Sequence, residues 1–314
     1  MFPGSPHLQS ITNGHTAWPA FRRTLTPRFR VVWRDIILCY GMLGIGLFTC
    51  VVVTKTTGLI GDVLTVIVCS IWCGYWLHAL LLFGHEAAHG NIAPKYNDPI
   101  ANWTIWLPFG LTTERYRRTH WEHHIHLGDH DDTEHSYHNC MHPWFLLQLV
   151  TGIYFIKILG EYHGKSLSKQ AGKTGAILRT AIFHGITIGT LWWFGSFATI
   201  MMWLLGTFAF FPLFATVRQI LEHRHVEADC ERDFAKEEHR PVNRMFGTDL
   251  FSRYFGAAGF NRHLLHHWDP TVSYTRFDDM ERFLLETPLR HQLQATRSTY
   301  RKTFTDMLRS ALHG

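Results

Sequence analysis

The sequence is poor in charged side chains. Asp, Glu, Lys and Arg make up 18% of the 314 residues, whereas about 25% is usual for a soluble globular domain. Aromatic residues make up 14%, which is too many for a disordered chain or a coiled coil. We therefore expect a folded chain, organised as one large domain or two small ones.

The sequence also lacks the patterns of a disulfide framework, a zinc ribbon and a nucleic-acid-binding surface. It contains six cysteines and no CxxC pair, and most of the cysteines lie in apolar runs, where cysteine behaves as a small hydrophobic residue. The formal net charge is only +5, and no run of Lys and Arg is interleaved with aromatic residues. We therefore expect no nucleic-acid partner.

Long charge-free runs predict membrane spans. Ile36–Thr54 contains 19 residues without a charge and Val63–Gly84 contains 22, and about 20 apolar residues cross the roughly 30 Å hydrocarbon core. Thr180–Val217 contains 38 such residues, and as one helix it would measure about 57 Å. It must therefore fold back, and Gly195 and Ser196 are the expected turn. We predict four spans, at residues 36–54, 63–84, 178–194 and 196–217. The alternative is a soluble protein with buried helices.

Basic residues predict the orientation of these spans, because they are enriched in cytoplasmic loops. Five arginines precede the first span, and Lys95, Arg115, Arg117 and Arg118 follow the second, whereas Lys55 is the one basic residue between them. We therefore expect a multi-pass protein with the 1–34 segment, the long middle segment and the 271–314 tail on the cytoplasmic side. The membrane would be the cell inner membrane or the endoplasmic reticulum.

Histidine is abundant, with 23 residues, and nine of these histidines lie next to predicted span ends or in helical spacing. Residues three and four apart share one helix face, and an even number of crossings places all nine on the cytoplasmic side. Nine imidazoles suit two metal ions with four or five nitrogens each. Imidazole binds zinc, copper, iron and nickel, and we favour oxygen-activating iron beside an apolar substrate. The nine residues are His85, His89, His120, His123, His124, His223, His263, His266 and His267.

The motifs HEAAH, HWEHH and HLLHH stand in an order that resembles the integral-membrane fatty acid desaturase and hydroxylase superfamily, over about Ile36 to Pro270. The resemblance implies an all-α fold, with a four-span transmembrane stalk and a cytosolic histidine-rich helical cap, and a catalytic domain at residues 35–270. It implies that the nine histidines hold a di-iron centre. His223 matches an additional ligand after the last span, and Gln219 would hold a water on the second metal.

The activity implied by the resemblance is O2-dependent introduction of a double bond into a fatty acyl or related lipid chain. Two electrons must come from an external donor, a ferredoxin or a small b-type cytochrome, because no flavin or nicotinamide fingerprint is present. The alternative with the same boxes is a lipid or carotenoid-type hydroxylase or ketolase. Two further alternatives are an intramembrane zinc metalloprotease, with Glu86 of HEAAH as the base, and a histidine-rich metal transporter.

Further polar residues surround the boxes. The segment from His126 to His142 carries five histidines, for which we consider a second metal site or a polar loop that orients the ligands. In the loop interpretation, carboxylates fix the histidine tautomers, and the candidates are Asp131, Asp132 and Glu134. Four carboxylates adjacent to the boxes would either orient histidines in the same way or be ordinary surface charges: Glu86, Glu122, Glu222 and Asp269.

Three further histidines have alternative interpretations. His225 could take the ligand role that we assign to His223. His78 and His184 lie within predicted spans, where they would either be functional groups or make helix-packing hydrogen bonds.

Overall fold

The computed structural model describes residues 6–128, 131–134, 142–154, 156–157, 173–223 and 243–313. Every regular element within these residues is a helix, and β-type pairing there is limited to two isolated bridges. The predicted all-α class is therefore confirmed.

The helices differ widely in length, and the long ones coincide with apolar segments. Those before residue 158 are α1 (Pro6–Gln9), α2 (Trp18–Arg22), α3 (Phe29–Val53), α4 (Leu59–Ala88), α5 (Asn97–Thr104), α6 (Thr113–Ile125) and α7 (Pro143–Val150). Those after it are α8 (Lys173–Phe194), α9 (Phe197–Leu205), α10 (Phe211–His223), α11 (Leu250–Phe255), α12 (His263–Trp268), α13 (Phe277–Leu285), α14 (Arg290–Ala295) and α15 (Tyr300–His313). A π-helical turn (Gly206–Phe210) joins α9 to α10, and 3₁₀ segments precede α12 (Ala257–Arg262) and α13 (Tyr274–Arg276).

Three helices of the described chain are long and apolar enough to cross a membrane. They are α3 with 25 residues, α4 with 30 residues and the continuous 27-residue helix Phe197–His223. The segment predicted as the third span is helical and lies in α8, and its turn at Ser196 is where we expected it. However, α8 is not one of these three membrane-length apolar helices, and it carries Lys173 and Arg179.

The apolar helices pack closely where glycine removes a side chain. A Cβ on Gly74 of α4 would lie 2.5 Å from Cβ of Phe210 and 2.8 Å from the backbone N of Phe211. Ser70, one turn earlier on α4, donates a hydrogen bond to the carbonyl of Met202 at 3.0 Å. Small residues at such crossings let helix backbones approach in membrane proteins. Helix α4 is thereby fixed between α3 and the helix that ends at His223.

Helix α4 also carries the chain out of the apolar layer. At about 1.5 Å per residue, its 30 residues measure about 45 Å, which exceeds the roughly 30 Å of hydrocarbon. Its last turns pack against α6 and lie close to α12; we call the group of shorter helices at this end of α4, with α6 and α12, the cap. The N-terminal segment closes this cap, since Arg22 forms an ion pair with Asp269 at 2.7 Å and the Trp18 ring packs on Phe283.

Candidate metal centre

The first two histidine boxes are held in register by an arginine. His85 lies in the last turn of α4 and His89 is the residue that ends this helix. Arg117 of α6 donates from Nε to the carbonyl of Ala88 at 2.6 Å, and from Nη1 to Asp98 at 2.6 Å. The end of α4 is thus tied to the helix that carries the second box.

Helix α6 presents the second box on adjacent faces. It begins at Thr113, and the Thr112 hydroxyl accepts a hydrogen bond from the Arg115 N–H as the N-terminal cap. His120 and His124 are four residues apart and share one face, whereas His123 is turned towards the neighbouring face. This offset allows one helix to supply ligands to two different sites.

The third box lies on the short helix α12, which follows an irregular 3₁₀ segment. Ala258 and Gly259 adopt left-handed backbone angles there, with φ of 52° and 79°. A Cβ on Gly259 would lie 2.5 Å from Cβ of Tyr274, so glycine is required both for the conformation and for the close approach. The kink turns His263, His266 and His267 back towards α4, α6 and α10.

The structure brings all nine predicted histidines together, in two groups. The first histidine set has five members and includes both α4 histidines, and the second has four members and includes His223. Within each set, one ring nitrogen of every member lies within 4.8 Å of those of the others. The first set is His85, His89, His120, His124 and His266, and the second set is His123, His223, His263 and His267.

The ring nitrogens are spaced as ligands of a common ion would be. In the first set, the Nε2 atom of His120 lies 3.1 Å from that of His89 and 3.0 Å from that of His124. In the second set, the Nε2 atom of His263 lies 2.8 Å from that of His223 and 3.0 Å from that of His267. Two nitrogens that bind one ion at about 2.1 Å lie at most about 4.2 Å apart, and all four distances fall within this limit.

Buried nitrogens without hydrogen-bond partners also fit metal binding. Neither ring nitrogen of His85 makes a hydrogen bond with the described residues, although His85 is only 3% exposed, and an unsatisfied buried polar group is costly. Each set could therefore hold one metal ion through imidazole nitrogens alone. Iron is among the metals that suit this donor set. That the nine side chains bind metal remains a prediction.

A loop after α6 supplies carboxylates to both sets. The Asp132 carboxylate lies 2.8 Å from Nδ1 of His123, and Glu134 Oε1 lies 3.5 Å from Nδ1 of His120. Gln219 donates a hydrogen bond from Nε2 to the other Glu134 oxygen at 2.7 Å. The interpretation of this loop as a ligand-orienting segment is supported for Asp132 and Glu134, whereas Asp131 is exposed.

These carboxylates change the protonation of the histidines in the metal-free chain. Burial lowers the pKa of His123, but the charges of Asp132 and Glu134 outweigh it and raise this pKa to about 9. Burial, followed by the charges of neighbouring histidines, lowers the pKa of His124 and His266 well below the usual value. Most imidazoles of the centre are therefore neutral, which is the form that binds metal.

The four carboxylates next to the boxes in sequence have other partners. Glu86 accepts hydrogen bonds from Asn91 and from the Tyr274 backbone, and Glu222 forms an ion pair with Arg218. Asp269 binds Arg22 and the Trp18 indole, and Glu122 is exposed, 3.7 Å from His126. The expectation that these four orient box histidines is not supported by their hydrogen bonds, although Glu222 lies 3.9 Å from Nε2 of His263. The contacts of Glu86 also give no support to a role as a protease base.

The remaining histidines differ in their surroundings. His184 makes helix-packing hydrogen bonds, with Nε2 3.0 Å from the Pro108 carbonyl and Nδ1 accepting from the Trp203 indole. His78 is buried against Phe214, and within the described part of the chain neither of its ring nitrogens makes a hydrogen bond. His142 caps α7 by accepting from the Trp144 N–H. His130, His135, His138 and His225 lie outside the described residues, so a second site in that run is untested.

Sequence reasoning missed three residues around the centre. The Tyr116 ring stacks on His120 at 5.3 Å, and the Phe260 ring stacks on His263 at 4.9 Å. The Arg218 guanidinium lies 4.5 Å from the centre of the Phe260 ring. Tyr116 could have been found, because it precedes His120 by four residues on one helix. The other two depend on the tertiary packing of α10 against the 3₁₀ segment.

Comparison with known proteins places these observations in a family. No curated protein matches the chain at a significant level. The family model described as fatty acid desaturase matches residues 62–299, which is more than half of the chain and includes all three boxes. The resemblance inferred from the motifs is therefore confirmed: the chain belongs to the fatty acid desaturase family, whose membership implies a membrane-bound oxidoreductase.

Proposed function

We propose that the protein is a di-iron, O2-dependent oxidoreductase that introduces a double bond into a fatty acyl or related lipid chain. The observation that carries this proposal is the division of nine imidazoles into adjacent sets of five and four. The consecutive residues His123 and His124 belong to different sets, so two ions would lie side by side. A single zinc site needs only four ligands, and it would leave five of the nine histidines without a role.

The chain's own residues would position and shield the centre. When bound, the two irons supply the redox chemistry, with O2 as oxidant, that removes hydrogen from an unactivated C–H bond. Asp132 fixes the ring of His123, and Glu134 lies beside His120. All four members of the second histidine set are buried, which would keep water away from this half of the site.

An external donor, a ferredoxin or a small b-type cytochrome, would supply the electrons. The two sets differ in their access to the surface, since His89 and His124 are half-buried whereas the second set is buried. The Trp121 ring packs against these two histidines, and its centroid lies 5.0 Å from that of His89 and 5.3 Å from that of His124. We propose that the donor docks over this face of α6.

The proposed topology has four spans, with the centre on the cytoplasmic side. Helix α8 would be the third span, because its 22 residues measure about 33 Å. Its beginning lies at the level of the cap, where Arg179 packs over the Trp103 ring and Thr180 donates to the Leu107 carbonyl. Its end carries the exposed Trp192 and Trp193, as is typical of a membrane interface.

Turnover with labelled oxygen tests the proposed reaction. The purified enzyme would receive reductant, ¹⁸O2 and a candidate acyl substrate, with His120→Ala as the inactive control. Desaturation sends both oxygen atoms to water and gives a product that lacks one pair of hydrogen atoms. Label retained in an alcohol or ketone would contradict desaturation and support the hydroxylase or ketolase alternative.

A further inference from the structure

Helix α12 carries three of the nine histidines but is too short to be stable by itself. It has six residues, and isolated helices of fewer than about 12 residues are marginal in water. Nevertheless, α12 supplies His266 to the first histidine set, and His263 and His267 to the second. A small shift of this helix would therefore disturb both sets, so the contacts that hold it in place affect the whole metal centre.

The N-terminal segment packs behind α12. The three histidines of α12 are spaced by three and four residues and share one face, whereas its other three residues point away from the metal centre. These three residues are at most 3% exposed, and they belong to a buried apolar cluster that includes three residues of the N-terminal segment. The members from α12 are Leu264, Leu265 and Trp268, and those from the N-terminal segment are Leu8, Trp18 and Leu25.

The end of α12 is held by a buried carboxylate. The helix ends at Asp269, whose backbone N–H donates to the Leu265 carbonyl at 3.1 Å. One oxygen of the Asp269 side chain lies 2.7 Å from Nε of Arg22 and accepts a hydrogen bond from the Trp18 indole at 3.3 Å. The other oxygen accepts from the Thr271 hydroxyl at 2.6 Å. Two residues of α2 thus hold the residue at which α12 ends.

The charge of Asp269 makes the contact with Arg22 important. Asp269 is 0% exposed, and a buried carboxylate requires a partner of opposite charge. A negative charge at the end of a helix also lies beside the last carbonyl groups, where the helix dipole is negative. The Arg22 guanidinium compensates both effects. The family match begins at residue 62, so this support comes from a part of the chain outside the matched region.

We propose that Trp18 and Arg22 are positioning residues of the metal centre, which hold the end of α12 through the Asp269 carboxylate. The inference rests on the metal binding proposed above and is independent of the reaction that the metal supports. In the part of the chain that the structure describes, Asp269 forms no hydrogen bond with a histidine, so its effect passes through the backbone of α12. Because α12 serves both histidine sets, loss of the contact should weaken both metal sites together.

Binding of Co²⁺ to the full-length protein in neutral detergent tests the inference without turnover. Co²⁺ belongs to the same divalent series as iron and binds nitrogen donors, and its visible spectrum reports the number and arrangement of its ligands. We expect the parent to bind two Co²⁺ ions. Arg22→Gln should bind both about tenfold more weakly, with an altered spectrum. Arg22→Lys keeps the charge and should restore most of the affinity.

A second variant tests the indole contact separately. Trp18→Phe keeps an aromatic ring beside Phe283, on which the Trp18 ring packs, but it removes the N–H that Asp269 accepts. It should therefore weaken both Co²⁺ sites in the same direction as Arg22→Gln, by a smaller factor. This variant also keeps the inference testable if Arg22→Gln does not fold.

Two nearby arginines separate positioning from general stability. Arg23→Gln removes an exposed charge, and Arg28→Gln removes an ion pair with Asp279 of α13. Both variants should leave the Co²⁺ affinity and spectrum unchanged, even where Arg28→Gln lowers the unfolding midpoint. In an Asp269→Asn background, Arg22→Gln should cause little further loss of affinity, because residues that act as one unit are not additive.

Three results would overturn the inference. They are parental Co²⁺ affinity and spectrum in both Arg22→Gln and Trp18→Phe, a loss confined to one of the two ions, and equal losses in Arg22→Gln and Arg28→Gln. A parent that binds no Co²⁺ would overturn the inference together with the metal centre. By contrast, an ¹⁸O-labelled alcohol would contradict the proposed desaturation and leave the Co²⁺ result unaffected.

Discussion

Nδ1 of His123 lies 2.8 Å from Oδ1 of Asp132. Nε2 of His123 is buried beside the rings of His223 and His267 and has no hydrogen-bond partner among the described residues. The side chains of His123 and Asp132 are inaccessible to solvent. A hydrogen bond of this kind fixes the tautomer and orientation of a metal-binding histidine. It therefore assigns Nε2 as the nitrogen that His123 offers to the second histidine set.

Removal of this carboxylate should weaken one metal site and spare the other. Asp132→Asn should reduce the affinity of the second set for metal by about 10- to 100-fold, so that the purified variant retains mainly the ion of the first set. Metal analysis after dialysis against a weak chelator measures this loss. Asp131→Asn, at the exposed neighbouring position, is the matched control. Parental metal content in Asp132→Asn would show that the contact does not orient a ligand.

The crossing at Gly74 should be sensitive to a single methyl group. Gly74→Ala places a Cβ 2.5 Å from Phe210, and such overpacking costs about 1–3 kcal/mol of unfolding free energy. Gly44→Ala on α3 is the control, because the added Cβ would meet no described atom within 4 Å apart from its chain neighbours and the local helix backbone. Thermal unfolding in detergent should show a lower midpoint for Gly74→Ala alone. Equal midpoints for the two variants would contradict the packing described here.

The Asp98–Arg117 contact should make the stability of the cap depend on pH. Burial acts to raise the pKa of Asp98, but hydrogen bonds from Arg117 and Asn97 outweigh it, so the folded chain has the lower pKa. This stabilisation is present above the unfolded pKa of about 3.9 and is lost as the pH falls through the folded value.

Unfolding curves of the parent and Asp98→Asn at a series of pH values check this dependence. We expect the variant to be less stable at neutral pH and to lose less stability below about pH 4. Glu114→Gln, at an exposed carboxylate of α6, should behave as the parent does. Parallel pH profiles for parent and Asp98→Asn would rule out a contribution from this ion pair.

The proposed sidedness predicts opposite labelling of the two ends of α4. In a cysteine-depleted background, Gly58→Cys in the turn before α4 should react with an impermeant thiol reagent applied outside the cytoplasm. Lys95→Cys and His291→Cys, at exposed positions in the cap, should react only after the membrane is opened. If Gly58→Cys and Lys95→Cys react from the same side, α4 does not cross the membrane.

The sequence was sufficient to identify the nine clustered histidines but not their division. Spacing of three and four residues identifies one helix face, and the predicted span ends place the boxes at a common depth. Whether His266 joins His124 or His123 depends on the relative orientation of α6 and α12, which the left-handed turn at Ala258 determines. No local pattern in the sequence encodes that orientation.

The sequence was less informative about carboxylate partners and about α8. Glu86 and Asp269 are adjacent to box histidines in sequence, but neighbouring residues on a helix face different directions, and both side chains bind other groups. Asp132 reaches His123 because the loop folds back along α6, which spacing does not reveal. We predicted the third span at residues 178–194, which already includes Arg179, whereas the helix begins five residues earlier, at Lys173.

Metal analysis of the purified full-length chain tests the central claim most directly. Nine imidazoles in two sets predict about two irons per chain. His120→Ala and His263→Ala should each lower this iron content. His15→Ala, at an exposed position of the N-terminal segment, is the control and should leave the content unchanged. A single zinc ion per chain, unaffected by His263→Ala, would contradict the di-iron account.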